Sequence, residues 1–296
     1  MAVTGVTRQA PGRPGSGQEA VPAPAAASSS DLSRSPDTAP TGPRPWTAIG
    51  PRDAPAIVFV HGTRLTRSQW WPQLRRLAGR YRCIAVDLPE HGARAAERFT
   101  IEAATAAIVE AIDAEAADGT ALIVGLSLGG YLAIETAEAY PQRVRGLVLA
   151  GCSAEPVGRV TLPFRGFAWL MEHASPTLLQ ALNLGFFRSR YRPAMSGPII
   201  EGGFWAAGGA RAVRLLVGRR YQLRLAGLWT PVTVVNGAFD PVFGPGGHAW
   251  ASAARRGRHV VIPWALHLSN LDRPGTFARV VAAAADALDP SRQPSS

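Results

Sequence analysis

The chain is expected to fold as an α/β protein, with a mostly parallel central sheet flanked by helices on both faces and one helical insertion. Three observations predict it. Short, unbroken apolar runs alternate with stretches of helical periodicity. The runs lack the polar alternation of a half-exposed strand, as expected for strands buried on both faces. The rhythm also stops near Glu155 and resumes near Leu228.

The first half, residues 45–154, opens with a candidate strand at Trp46 to Ile49. The apolar run Ala56 to Val60 follows, then a helical stretch from Gln69 to Gly79 and the run Cys83 to Val86. A helix from Ile101 to Ala117 leads to a strand from Ala121 to Gly125, a helix from Gly130 to Ala139 and a strand from Val144 to Ala150. Residues 155–228 mix aromatics, leucines and arginines with no strand pattern, and read as helices forming a lid. In residues 229–290 the rhythm returns: a strand at Val232 to Asn236, a helix near Gly247 to Arg255, a strand at His259 to Ile262 and a helix from Pro274 to Leu288. Residues 1–44, rich in Pro, Gly, Ala and Ser, read as a disordered tail, as do residues 291–296.

At 296 residues and 47% hydrophobic composition the chain can bury one large core. Its 31 basic residues are all arginine, which excludes a P-loop lysine, a lysine Schiff base and a Ser-Lys pair. The net charge of +10 is local: ten arginines face three glutamates between Glu155 and Trp229. No nucleic-acid motif accompanies it, so no nucleic-acid partner is expected. Contact of the arginine-plus-apolar helices with an anionic membrane surface stays open as a second reading. Cys83 and Cys152 fall in expected strands, without the spacing of a disulfide framework or a zinc site. With no apolar run near the ~20 residues of a membrane helix and no secretory signal order, a cytoplasmic protein is expected, using no metal and no cofactor.

The sharpest motif is Gly125-Leu126-Ser127-Leu128-Gly129, between an apolar strand and a helix. A serine on such a strained turn exposes its hydroxyl, and small flanking residues let the backbone fold tightly. Because a serine hydroxyl is a poor nucleophile at neutral pH, it needs a base and a carboxylate to orient that base. His267 and Asp240 both follow strands late in the chain, where parallel sheets place ligand-facing groups. Glu155, after the preceding strand, is the competing acid. His61 and His91 precede the serine, and His61 is expected to pack beneath the site. His173, His248 and His259 read as surface or packing residues, and Asp87 as shaping the turn through Gly92. Backbone donors for a developing oxyanion are expected at Thr63 and Leu128. Arg64 would bias the pocket toward anions or be a solvated loop residue. Trp71, Phe167 and Trp205 are the candidate apolar lining.

With the strand before His61-Gly62, the run Asp87-Leu88-Pro89, then His91-Gly92, the Ser127 turn, Asp240 and His267, the sequence resembles the α/β-hydrolase fold superfamily from about Trp46 to Leu288. Gly-Leu-Ser-Leu-Gly-Gly, with Trp70 or Trp71 after the His-Gly loop, resembles the serine-nucleophile branch that includes carboxylesterases and 3-oxoadipate enol-lactonases. The resemblance implies a hydrolase cleaving a small-molecule ester or lactone. C–C hydrolysis, perhydrolysis or a lyase step by the same residues, and a non-catalytic binding protein, are the alternatives. Two departures stand out. One strand precedes Ala56 where the family has two, and Glu90 stands where many members have glycine.

Overall fold

The computed structural model describes residues 44–289; the expected tails, apart from Arg44, lie outside them. Seven strands form one sheet: β1 (Trp46–Ile49), β2 (Ala56–Val60), β3 (Arg82–Val86), β4 (Ala121–Leu126), β5 (Val144–Ala150), β6 (Val232–Gly237) and β7 (Gly257–Ile262). Their order is β1-β3-β2-β4-β5-β6-β7, with β1 antiparallel to β3 and every other neighbour parallel.

Among the described residues one strand precedes β2, and it forms that edge of the sheet. β1 pairs residue for residue with β3, from Trp46 opposite Val86 to Ile49 opposite Cys83. Trp46 Nε1 donates to Glu115 Oε1 at 3.1 Å, tying the edge to the helix beneath.

Side-chain alternation along the strands divides the core into two layers. On β2, Val58 and Val60 face one layer while Ile57 and Phe59 face the other; on β4, Ile123 and Val124 divide in the same way. Helices α1 (Trp71–Leu77) and α11 (Pro274–Asp286) cover the face holding Phe59, where Trp70 stands 5.2 Å from Phe59 and 5.8 Å from Phe277. Helices α2 (Ile101–Glu115), α3 (Leu128–Ala139) and α9 (Gly247–Ala253) cover the other face. Each fully buried Ile, Leu or Phe contributes about 1.5–3 kcal/mol, so these layers dominate the stability of the body.

Between β5 and β6 run five helices: α4 (Thr161–His173), α5 (Pro176–Arg190), α6 (Pro193–Glu201), α7 (Ala206–Leu216) and α8 (Tyr221–Gly227). A short α10 (Ser269–Asp272), not foreseen in the sequence, precedes α11. The insertion is seated by aromatic packing. Tyr221 of α8 and Phe164 of α4 meet Tyr131 of α3, with ring centroids 4.7 and 6.3 Å away. Its arginines do much of the rest. Arg211 Nε donates to both carboxylate oxygens of Glu90 at 2.9 Å, Arg190 reaches Asp272 at 2.8 Å, Arg219 reaches Glu135 at 3.1 Å, and Arg224 pairs with Glu138. Much of the local charge surplus therefore joins insertion to body. No described helix is long and apolar enough to cross a membrane. Cys83 lies in β3 and Cys152 two residues beyond β5, against the expectation of a strand; both are buried and free.

Candidate active site

The glycines around Ser127 are required by close backbone approach. A Cβ at Gly125 would stand 2.1 Å from Gly129 O, and one at Gly129 would stand 2.1 Å from Val60 O. Between them Ser127 takes φ 54°, ψ −118°, a conformation that costs an ordinary residue roughly 1–3 kcal/mol. Its amide donates to Ala150 O at 2.8 Å, which fixes the turn against the end of β5. The helix begins at Leu128, two residues earlier than the sequence suggests, so Ser127 is its N-cap.

Asp240 and His267 come from the turns after β6 and β7. Asp240 is buried, and its Oδ1 accepts the amides of Val242 and Phe243 at 3.1 and 3.0 Å. Its Oδ2 lies 3.0 Å from His267 Nδ1. Burial pushes this carboxyl upward, but the bond from His267 and the two amides outweigh it and hold its pKa below the ordinary 3.8. The His267 ring lies between two surfaces. Phe243 stacks on it with centroids 4.9 Å apart and planes 24° from parallel, and a Cβ at Gly151 would be 3.0 Å from Nδ1. Because Gly151 directly follows Ala150, the serine turn and the imidazole share one strand end. Among the described residues no hydrogen bond joins Ser127 Oγ to the ring.

Thr63 follows the end of β2 by three residues, and Leu128 opens α3 directly after Ser127. Among the described residues neither amide donates to a protein acceptor. His61 supports this loop from below: its Nδ1 faces Gly62 O at 2.9 Å while its Nε2 accepts the Leu88 amide at 3.1 Å. That pair of bonds fixes the neutral tautomer, and burial lowers its pKa to about 4. His91, 5.0 Å away, is lowered by burial and by His61 to about 3. Asp87 shapes the turn as expected, accepting from Arg67 at 2.8 and 2.9 Å and from the Ala93 amide at 3.0 Å. Glu90 adopts φ 59°, which explains why glycine suits this position elsewhere.

The competing acid has another task. Glu155 Oε2 accepts the Gln222 amide at 3.2 Å and so caps the start of α8. His173, His248 and His259 bond to Trp169 O, Ser252 Oγ and Asn236 Oδ1 respectively, away from Ser127.

Of the four candidate pocket residues, three are brought together. Trp205 donates its amide to Arg64 O at 2.8 Å, and the Arg64 guanidinium lies 6.0 Å from the Phe167 ring. Trp71 is not brought to them. Its ring lies under Arg75 of its own helix at 6.0 Å, and among the described residues no contact ties it to the other three. Phe243, Gly151 and Met171 were not foreseen. The signal available for Phe243 was its place in the Asp-Pro turn, three residues past the acid.

The family model described as "Alpha/beta hydrolase family" matches residues 57–293. Among curated proteins, the chain is 37% identical over 99 residues to a pimeloyl-[acyl-carrier protein] methyl ester esterase of Neisseria meningitidis, covering 33% of this chain and 37% of that one. It is 33% identical over 127 residues to the protein of the same name from Nitrosomonas europaea, covering 43% and 46%. The match thus spans less than half the length of either relative. Among solved structures, an enol-lactonase from Burkholderia xenovorans LB400 superposes with a TM-score of 0.67 at 22% identity, covering 80% of this chain and 94% of that one. A thermophilic esterase from Thermogutta terrifontis gives 0.66 at 23% identity, covering 82% and 93%. At these identities the structural likeness speaks for the fold alone. With the family model spanning both halves of the sheet and the insertion, the chain belongs to the alpha/beta hydrolase family.

Proposed function

We propose that the protein is a serine hydrolase that cleaves a carboxylic ester or lactone of a small molecule. The observation that carries this reading is the 3.0 Å bond between Asp240 Oδ2 and His267 Nδ1, on a ring that faces the strand end to which the strained Ser127 is bonded. The names of the curated relatives, methyl ester esterases, support the same bond type.

In this mechanism Asp240 keeps the Nδ1 proton in place, leaving His267 Nε2 free to accept. Ser127 Oγ attacks the carbonyl carbon as its proton passes to Nε2, and the carbonyl oxygen takes up the charge against the Thr63 and Leu128 amides. Collapse expels the alcohol, which leaves with the proton from Nε2. Water then attacks the acyl-enzyme, giving its proton to Nε2 and releasing the acid and Ser127. In this reading the insertion acts as a lid, with Phe167 and Trp205 beside Arg64 at the pocket.

Fluorophosphonate labelling, together with hydrolysis of p-nitrophenyl esters of graded acyl length, tests the proposal in wild type and Ser127→Ala. Labelling and turnover restricted to the wild type are expected. A folded wild type that neither labels nor turns over would leave a binding role on the same fold.

A further inference from the structure

The arginines buried in the body have carboxylate partners: Arg67 with Asp87, Arg82 with Glu115, and Arg94 with Glu97 and Glu110. Arg64, which is partly buried, has none among the described residues. Its guanidinium instead faces Met171 Sδ at 3.8 Å and the Phe167 ring at 6.0 Å, both on α4. Burial among these apolar groups lowers its pKa, meaning that its charge is poorly compensated where it stands.

The backbone at Arg64 is also unusual. It takes φ 61°, a left-handed conformation disfavoured for a long side chain. The surroundings hold it there. Trp205 N donates to its carbonyl at 2.8 Å, and α7 presses so closely that a Cβ at Gly209 would lie 3.1 Å from its amide nitrogen. A strained main chain, clamped from two sides, thus delivers an uncompensated cation beneath α4. It does so one residue, about 3.8 Å along the chain, from the Thr63 amide.

From this geometry we infer that Arg64 selects the substrate: the ester carries a carboxylate a few bonds from the scissile carbonyl, received by the Arg64 guanidinium under α4. A single planar fork matches the two oxygens of a carboxylate, and the charges then cancel beside the apolar groups of α4. Monoesters of short dicarboxylic acids fit this description. The inference rests on the proposed hydrolase reading for the word ester, but the anion site itself does not depend on turnover.

Calorimetry in the Ser127→Ala background separates the two. Monomethyl glutarate is expected to bind about 10- to 100-fold more tightly than neutral dimethyl glutarate, the range of a charge-assisted hydrogen-bonded pair. Adding Arg64→Met, or Arg64→Gln if the first variant does not fold, should abolish that preference. Adding Arg165→Met on the exposed face of α4 should preserve it, which excludes a general effect of positive charge. Equal binding of the two esters by Ser127→Ala, or a preference that survives loss of Arg64, would overturn the inference. In wild type, the ratio of kcat/KM for mono-p-nitrophenyl glutarate over p-nitrophenyl valerate should fall by a similar factor with Arg64→Met. Absence of turnover by folded wild type would refute the hydrolase reading and leave the binding result to decide the role of Arg64.

Discussion

Replacing Asp240 by asparagine separates the chemical role proposed for this carboxylate from its structural one. In the native turn Oδ1 takes the Val242 and Phe243 amides and Oδ2 takes His267 Nδ1. An asparagine retains the first two bonds through its carbonyl but turns an NH2 toward Nδ1. Two donors cannot share that contact, so the imidazole moves its proton to Nε2 and can no longer accept from Ser127. The expected loss in kcat is about a thousand- to ten-thousandfold, roughly 4–5.5 kcal/mol in the barrier. The fold should lose about 1–3 kcal/mol, since three bonds to a carboxylate become neutral ones. Steady-state hydrolysis of p-nitrophenyl butyrate and scanning calorimetry on the same samples read the two effects. The pH dependence supplies a further check. Because the folded pKa of Asp240 is depressed, its ionised form stabilises the native state above the unfolded value of 3.8, and that contribution disappears as pH falls through the lower folded value. The gap in Tm between wild type and Asp240→Asn should therefore narrow below about pH 4. An Asp240→Asn protein that folds and keeps more than a tenth of wild-type kcat would remove Asp240 from the mechanism.

Two further substitutions probe neighbouring claims. Glu155→Ala removes the acceptor at the start of α8 and should cost about 1 kcal/mol while leaving ester hydrolysis within about threefold; a loss of hundredfold or more would return the acid role to Glu155. Gly125→Ala forces a methyl group to 2.1 Å from Gly129 O, so Tm should drop by roughly 6 °C or more; unchanged melting would show that the turn has more room than its backbone contacts allow.

The body was legible in the sequence because its inner strands, β2 to β6, are buried and punctuated by helices, which leaves short apolar runs such as Ala56 to Val60 and Leu147 to Ala150. The serine turn was legible because its glycine spacing is a steric requirement of the turn itself. Residues whose role depends on a distant partner were not. Nothing local to Glu155 announces the Gln222 amide 67 residues later, and nothing local to Arg211 announces Glu90, 121 residues earlier. In Trp70-Trp71 the sequence offers two adjacent indoles, but only tertiary packing decides that Trp70 enters the lower core layer while Trp71 stays at the rim. The five helices of the insertion were foreseen as a class and not individually, since helices with Pro and Gly inside them, such as α6, carry a weak periodic signal.

The seat of α7 on the body has a consequence for exchanging parts between relatives. A Cβ at Gly208 would lie 2.6 Å from Glu90 O, and one at Gly209 would lie 2.8 Å from Thr63 Cγ2. The residues they touch belong to the two loops whose Glu90 and Arg64 have positive φ. A helix can approach these loops so closely only where its own surface is bare backbone, and the loops can receive it only in those conformations. Insertion and body are therefore matched halves of one joint, and a chimera that carries in a foreign insertion must import the 63–64 and 90 loops with it.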